Sequence, residues 1–330
     1  MRHFYSLNEF TPDQIEHFLA RALYHKQSPY SDVLAKKQFA LLFLDPSLRT
    51  RCSFEVAIRQ LGGGVTTLEG QTLWKIETVL GARMDQDKGE HVREAMGVLS
   101  RYFDGLGLRS FARGLKREED LLDETFSAFV ESAKIPVFNM ESAVYHPCQA
   151  MADLLTIKEL FGGFKKKRIV ITWATHPRPL PMAVPNSILL ASTLVGMDVT
   201  LAHPKGFELQ DGIMTMAGDF ARRAGGSLRV VHDREEGARD ADIVYAKAWG
   251  GLGRYDDPQG EAEARLKNAH WIVDTQFMDW TRRAVFMHCL PVRRNVVVQD
   301  EVIDSKSSVI FRQAENRLHA QKAILEWVYS

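Results

Sequence analysis

The chain predicts an α/β fold of two doubly wound parallel-sheet domains, with its C-terminal helix returning to the first. Three observations carry this. Short, continuous apolar runs recur along the chain, as strands buried on both faces require. Helical stretches separate them, which is the alternation of βαβ units. The runs fall into two series with a change near residues 145–165, and 330 residues suits two domains at roughly 100–200 residues each.

The elements follow in order. Thr11, Pro12 and Gln14 read as a capped helix start, with Pro at the first helical position. Ile15, Phe18, Leu19 and Leu23 continue it at helical spacing. FALLFLD (39–45) is a buried strand, and SFEVAIRQLGG (53–63) a helix closed by glycine. A strand VTTLE (65–69) and a long polar loop, 70–88, come next. A helix over 90–103, the strand GLGLR (105–109), a helix near 117–132 and the strand PVFNM (136–140) complete the first series. A helix from Pro147 to Phe161 ends at Gly162-Gly163. The second series has strands at 168–174, 198–204, 228–233, 242–249, 270–274 and 284–290, and a final helix covers 313–329.

Composition narrows the function classes. Lys+Arg and Asp+Glu both number 42, which disfavours a nucleic-acid binder working through a global basic field. Apolar residues make up 45% and charged residues 25%, an ordinary globular balance. No apolar run approaches the ~18 residues of a membrane span. The opening MRHFYSLNEFTPDQ has no apolar core of a secretory signal. The three cysteines are far apart and form neither a disulfide framework nor a paired metal motif. The expectation is a cytoplasmic protein.

In open α/β sheets ligands bind outside the carboxyl ends of the strands, so those residues matter most. After the first strand comes Asp45-Pro46-Ser47-Leu48-Arg49-Thr50-Arg51. Hydroxyls, guanidiniums and free N–H groups at a helix start suit a phosphate; the same spacing also fits a capped helix with solvated arginines. It is not a P-loop. Arg109 follows its strand directly, and His146-Pro147-Cys148-Gln149 opens a helix. His146 and Gln149 lie one turn apart and could face one ligand, but zinc would need further donors. His176 lies in a proline-stiffened loop, Lys247 ends a buried strand, and His288-Cys289-Leu290-Pro291-Val292-Arg293 ends the last one. Cys289 lacks a well-placed base, because neighbouring strand residues point to opposite faces.

Together, SLRTR (47–51), Arg109, HPCQ (146–149), HCLP (288–291) and Arg317 occur in the order and spacing of the aspartate/ornithine carbamoyltransferase family. The chain resembles that family over essentially its whole length, and HCLP resembles its ornithine side. Ornithine carbamoyltransferases carry an aspartate, followed by a Ser-Met-Gly loop, where this chain reads Lys247-Ala248-Trp249-Gly250-Gly251. That aspartate faces the α-ammonium of free ornithine. A lysine would repel the ammonium by several kcal/mol at short range, about 4 kcal/mol at 4 Å in a medium of intermediate dielectric. It suits an acylated, uncharged amine. The chain therefore resembles the N-acylornithine carbamoyltransferases. Trp74-Lys75-Ile76-Glu77, Met84-Asp85, Glu90-His91 and residues 173–187 and 286–295 are similar to the succinylornithine type. Before the Glu-His pair that type has proline and the acetylornithine type glutamate; here it is Gly89, with no acid to oppose a succinyl carboxylate. The acetyl type also carries a lysine shortly after Arg-Arg-Asn, where this chain has Val296-Val297-Val298.

The resemblance implies carbamoyl transfer from carbamoyl phosphate to the δ-amine of N²-succinyl-L-ornithine in arginine biosynthesis, with N-acetyl-L-ornithine as the alternative acceptor. A catalytically silent phosphate-metabolite binder or assembly protein is the reading from another class; a dinucleotide oxidoreductase lacks its glycine fingerprint. The implied carbamoyl-phosphate domain is 1–148 with helix 313–330, and the acylornithine domain 149–312. Ser47, Leu48, Arg49, Thr50, Arg109 and Arg317 would hold the phosphate. His146, Gln149 and Thr50 would surround the carbamoyl group, beside Pro147, Cys148, Cys289 and Leu290. Arg49, Thr50, Arg109 and His146 are the implied catalytic set. Trp74, Glu141, His176, Lys247 and Arg293 would bind the acylornithine, with Gly89 tuning acyl choice. Neither metal nor organic cofactor is implied, nor a nucleic-acid or membrane partner. Trp74 lies in a loop that in the family reaches a neighbouring subunit's site, which implies a homotrimer.

Overall fold

The computed structural model describes residues 1–330. The chain forms two compact units, one of residues 1–9, 14–148 and 317–330, the other of residues 10–13 and 149–316.

The first unit contains α1 (Pro12–Gln27, whose first residues belong to the other unit), β1 (Gln38–Phe43), α2 (Leu48–Gln60), β2 (Gly64–Glu69), β3 (Ile76–Glu77), β4 (Glu90–His91), α3 (Val92–Tyr102), β5 (Gly105–Arg109), α4 (Arg117–Leu121), α5 (Glu124–Ser132) and β6 (Val137–Glu141). Its main sheet is parallel, in the order β2-β1-β5-β6. Ala40, Leu42, Leu106, Leu108 and Val137 pack with Val92 and Met96 of α3 and Phe126 and Phe129 of α5. On the other face Phe39 and Phe138 meet the ring of Tyr329, and Phe18 of α1 meets Trp327. With both faces covered, the strands have to be continuously apolar.

α6 (Pro147–Phe161) leads into the second unit. There follow β7 (Arg168–Trp173), α7 (Ala183–Leu194), β8 (Asp198–Ala202), α8 (Asp211–Ala224), β9 (Ser227–Val231), α9 (Arg234–Ala238), β10 (Ile243–Lys247), α10 (Pro258–Lys267), α11 (Thr275–Asp279), β11 (Val285–Met287) and α12 (Asp300–Ile303). α13 (Ile310–Tyr329) carries the chain back to the first unit. The sheet is parallel, in the order β11-β10-β7-β8-β9. Every residue of α7 is buried, the polar Asn186, Ser187, Ser192 and Thr193 included, and the Thr193 hydroxyl donates back to the Leu189 carbonyl at 2.9 Å.

Each sheet therefore reverses its strand order at one place, between β1 and β5 in the first and between β7 and β10 in the second. These are the switch points where α/β sheets open a crevice. Asp45–Arg51 follow β1 and Arg109 ends β5 at the first; Ala174–His176 follow β7 and Lys247 ends β10 at the second.

Several elements differ from the sequence reading. The helix read from residue 53 begins at Leu48, because Ser47 caps it and its Oγ accepts the Thr50 N–H at 3.2 Å. The run 270–274 is not a strand of the sheet. It forms one isolated bridge, Val273 with Val298, because its backbone pairs with the 297–299 loop. The last strand stops at Met287, where the His288 N–H turns to the Gln313 side chain. The 70–88 loop is not wholly irregular: β3 and β4 pair in parallel across it, and Lys88 bridges to Glu77 at 2.9 Å. The helix read from residue 90 starts at Val92, capped by His91.

The helix near 117–132 breaks at Asp123, which adopts a left-handed backbone, φ 55°. Asp is among the residues that tolerate this. The break turns its carboxylate onto the turn before His146. Oδ2 accepts from Tyr5 Oη at 3.0 Å and from Ser142 Oγ, and Oδ1 from the Ala143 N–H at 3.2 Å. Ser142 Oγ in turn receives the Tyr145 N–H and the Asn139 amide.

Burial pushes the Asp123 carboxyl up to about 6. The folded chain thus holds this proton more tightly than the unfolded chain. The associated stability is complete below the unfolded value near 3.9 and is lost as pH rises through about 6. Asp123→Asn removes that titration. Urea unfolding should show the variant gaining about 2–3 kcal/mol relative to the parent between roughly pH 4 and pH 8; a pH-independent difference would place the carboxyl at its ordinary value. A Cβ on Gly105 would lie 2.5 Å from Tyr329 Oη and 2.9 Å from the Phe39 ring. Gly105→Val should therefore cost about 1–3 kcal/mol in the same assay, relieved in part by Tyr329→Phe.

Candidate active site

In the first unit the cradle is built from the start of α2. Ser47 is its N-cap, so the first-turn N–H groups and the positive end of a thirteen-residue helix face the switch point. Leu48 is exposed and contributes backbone rather than packing. Thr50 is buried, and Arg317 Nη2 donates to its Oγ1 at 2.6 Å. Arg51 turns away, to Glu55 and Glu69 on the surface. A cavity of about 230 Å³ opens on the Arg51 side of this turn, lined by Pro46, Ser47, Leu48, Arg51, Glu69 and Gln71 among others.

Arg109 and Arg317 are 7% and 3% exposed. Desolvation lowers the Arg317 guanidinium to about 10, and repulsion by Arg109 and Arg49 adds to this. Glu141 Oε2 meets Arg109 Nη1 at 2.5 Å and lies 3.4 Å from His146 Nε2. The Arg109 guanidinium also stacks 4.4 Å from the centre of the Phe111 ring. The Nε atoms of Arg109 and Arg317 are buried and make no hydrogen bond within the protein. Guanidiniums in excess of the carboxylate beside them can hold a multiply charged anion.

Pro147 occupies the first position of α6, and Cys148 is fully buried. Its Sγ lies 3.4 Å from the Asn139 carbonyl. Burial pushes its thiol up to about 12, so no thiolate forms there at neutral pH. Cys289 is buried too, while the neighbouring His288 imidazole accepts the Leu290 N–H at 2.9 Å.

In the second unit His176, Lys247 and Arg293 come together. His176 Nε2 accepts from Arg293 Nε at 2.9 Å, and Nδ1 lies 2.8 Å from the Arg178 carbonyl. The Arg178 N–H also points to Nδ1, at 3.0 Å. Burial lowers the His176 pKa, and Arg293, Lys247 and Arg265 lower it further. Lys247 is 8% exposed and donates to the Ala248 carbonyl at 3.0 Å. Arg265 is paired with Glu261 at 2.8 Å, which leaves Lys247 and Arg293 as the charges that suit carboxylates. A larger cleft, about 380 Å³, opens at the amino ends of β7, β8 and β9. Its arginines face acids, Arg168 with Asp240, Arg229 with Glu236 and Arg239 with Glu235.

Trp74 is 77% exposed, unusual for so large an apolar ring. A Cβ on Gly89 would sit 3.4 Å from its indole, so these two residues of the loop are neighbours. Sequence reasoning missed the grip of Glu141 on Arg109 and His146, and it missed Asp123 and Asp153. The last had a signal, standing four residues after Gln149, one helical turn on.

Two family models match: the carbamoyl-phosphate-binding domain of aspartate/ornithine carbamoyltransferase over residues 2–159, and its Asp/Orn-binding domain over residues 182–328. The N-acetylornithine carbamoyltransferase of Xanthomonas campestris is 40% identical over 98% of this chain and 97% of its own. The N-succinylornithine carbamoyltransferase of Bacteroides fragilis is 38% identical over 90% of this chain and 89% of its own. Crystal structures of acetylornithine transcarbamylase share the fold at 40% identity and TM-score 0.97, covering 99% of both chains. One is complexed with acetylcitrulline; another, a Glu-to-Pro variant, with carbamyl phosphate and N-succinyl-L-norvaline. The chain belongs to the aspartate/ornithine carbamoyltransferase family, in its N-acylornithine carbamoyltransferase group.

Proposed function

We propose that the protein transfers the carbamoyl group of carbamoyl phosphate to the δ-amine of N²-succinyl-L-ornithine, giving N²-succinyl-L-citrulline and phosphate in arginine biosynthesis. The observation that carries the acylated acceptor is Lys247, a nearly buried cation at the second switch point. Beside it free ornithine would place a second cation in a poorly solvated site. An acylated amine is neutral and leaves carboxylates for Lys247 and Arg293 to bind.

The phosphate is assigned to Ser47, Leu48, Arg49, Thr50, Arg109 and Arg317. Such an anion would supply acceptors for the buried Nε atoms of Arg109 and Arg317, which are costly to leave unmet. The carbamoyl oxygen is assigned to His146 and Thr50, and the carbamoyl amide to Gln149, beside Cys289 and Leu290. The neutral δ-amine attacks the carbonyl carbon and a C–N bond forms. Charge collects on the oxygen, and fixed donors stabilise it. The C–O bond to phosphate then breaks, and the amine proton leaves with a phosphate oxygen. Arg49, Arg109 and Arg317 spread the phosphate charge. No covalent enzyme intermediate is needed. Glu141 and His176 are assigned to polar amide groups of the acceptor.

Gly89 supports succinyl over acetyl. It places no acid beside Trp74, whereas by family resemblance the acetyl type has glutamate there. The acetyl reading has one observation in its favour, the 40% identity to the Xanthomonas enzyme. The exposed Trp74, on a loop closed by β3 and β4, supports insertion into a neighbouring subunit's site, and hence a homotrimer.

The test compares product formation from carbamoyl phosphate with N-succinyl-, N-acetyl- and free L-ornithine under one condition. Succinyl should be preferred. Preference for acetyl would overturn the Gly89 assignment alone, and turnover of free ornithine alone would overturn the Lys247 assignment as well. Gly89→Glu should lower kcat/KM for the succinyl acceptor about tenfold or more through like-charge repulsion, with the acetyl acceptor much less affected. A Cβ at Gly89 makes only ordinary contacts, so the variant should fold.

A further inference from the structure

A buried chain of hydrogen bonds runs through the second unit behind Gln149. The His288 N–H, which can only donate, gives its proton to Gln313 Oε1 at 2.9 Å. That fixes the Gln313 amide, whose Nε2 donates to Asp153 Oδ1 at 2.7 Å. Gln149 Nε2 donates to the same Oδ1 at 2.8 Å. A carboxylate can only accept, so Asp153 holds the Gln149 amide with its NH₂ turned inward. Gln149 Oε1 is then presented as an acceptor, and it makes no hydrogen bond within the protein. Gln149, Asp153 and Gln313 are all essentially fully buried. A second rung lies one turn further along the same two helices, where Asn316 Nδ2 donates to Thr156 Oγ1 at 2.9 Å and to Glu159 at 2.7 Å.

We propose that Asp153 is a positioning residue that sets the amide orientation of Gln149, so that its oxygen, and not its NH₂, meets the carbamoyl NH₂, and that Gln313 ties this orientation to the His288–Pro291 segment. The proposal rests on the assignment of Gln149 to the carbamoyl amide. A glutamine amide has two orientations of similar shape and opposite polarity. In the wrong one, two NH₂ groups would face each other, and the carbamoyl group would lose an acceptor in a dry site. Asp153 removes that choice before substrate arrives. Preorganisation of this kind lowers the barrier without touching the reacting atoms.

The experiment uses the full-length enzyme with carbamoyl phosphate and N-succinyl-L-ornithine, and with inorganic phosphate as a competing probe of the anion cradle. Asp153→Leu should lower kcat/KM for carbamoyl phosphate about 10²-fold, and phosphate inhibition should stay within about twofold. Asp153→Ala serves where leucine fails to fold, with the same expectation. Asp153→Asn should recover most of the activity, because the amide oxygen can still accept from both glutamines. Gln149→Leu with full activity would sink the underlying assignment on its own. The proposal is overturned by a folded Asp153→Leu or Asp153→Ala enzyme of unchanged kcat/KM. It is equally overturned if the asparagine variant falls as far as the apolar ones while melting temperature falls in step, the pattern of a purely structural residue.

Discussion

The first unit is organised around a repulsion. Buried Arg317 is repelled by both Arg109 and Arg49, and Glu141 is the carboxylate paired with Arg109. Like charges in low dielectric cost several kcal/mol each unless something answers them. The answers come from far apart in the chain. Glu141 ends β6, Phe111 offers its ring to Arg109, and the Thr50 hydroxyl accepts from Arg317 across 267 residues. The C-terminal helix must therefore lie on the first sheet before the cradle exists. Its anchors are Trp327 against Phe18 and Tyr329 against Phe39 and Phe138, and Gly105 keeps that surface flat enough. Positive charge gathered in this way destabilises the empty protein and favours a phosphate, so stability and affinity oppose each other at this place.

The second unit applies the same rule with a different sign pattern. Its switch point brings His176 and Lys247 to the ends of adjacent strands, since Trp173 and Lys247 are register partners. Arg265 stands close by, but Glu261 takes its charge. The cations not paired with an acid are Lys247 and Arg293, and they add to the lowering of the His176 pKa that burial causes. A neutral imidazole among cations can hydrogen-bond a polar amide without adding charge. Charges of this kind favour carboxylates and disfavour an ammonium nearby.

The sequence made the large features legible because they follow from local rules. Buried parallel strands must be apolar throughout, and ligands sit where those strands end, which directs attention to the segments around Ser47, Arg109, His146, His176, Lys247 and Arg293; the roles given to these residues come from the family resemblance. What escaped depends on tertiary partners. Asp123 lies in an acidic stretch, and nothing local separates it from Asp120 or Glu124; the turn it clamps is some twenty residues away. The 270–274 run has strand composition, yet its backbone finds the 297–299 loop instead of the sheet. Helix α2 was read as starting late because its first turn carries the polar cradle residues, which pattern reading takes for a loop. The family resemblance places Glu141 with the acceptor, and its hold on Arg109 and His146 becomes visible only with β6 beside β5.

Overall identity separates the acyl types poorly, since relatives named for either acyl group match at nearly the same level. The physical reason is that acyl choice rests on very few atoms. By family resemblance, the two acyl types differ before the Glu-His pair in whether a glutamate or an uncharged residue stands there, and this chain has Gly89. A single carboxylate there changes binding of a succinyl tail by several kcal/mol at short range, while leaving the other three hundred or so residues under the same constraints. Lys247 and Gly89 therefore bear on the question with more weight than a difference of two per cent in identity. They also divide it. Lys247 argues against a charged α-amine, and Gly89 argues against an acid opposite the acyl tail. The first excludes an acceptor class and the second ranks members within the class that remains.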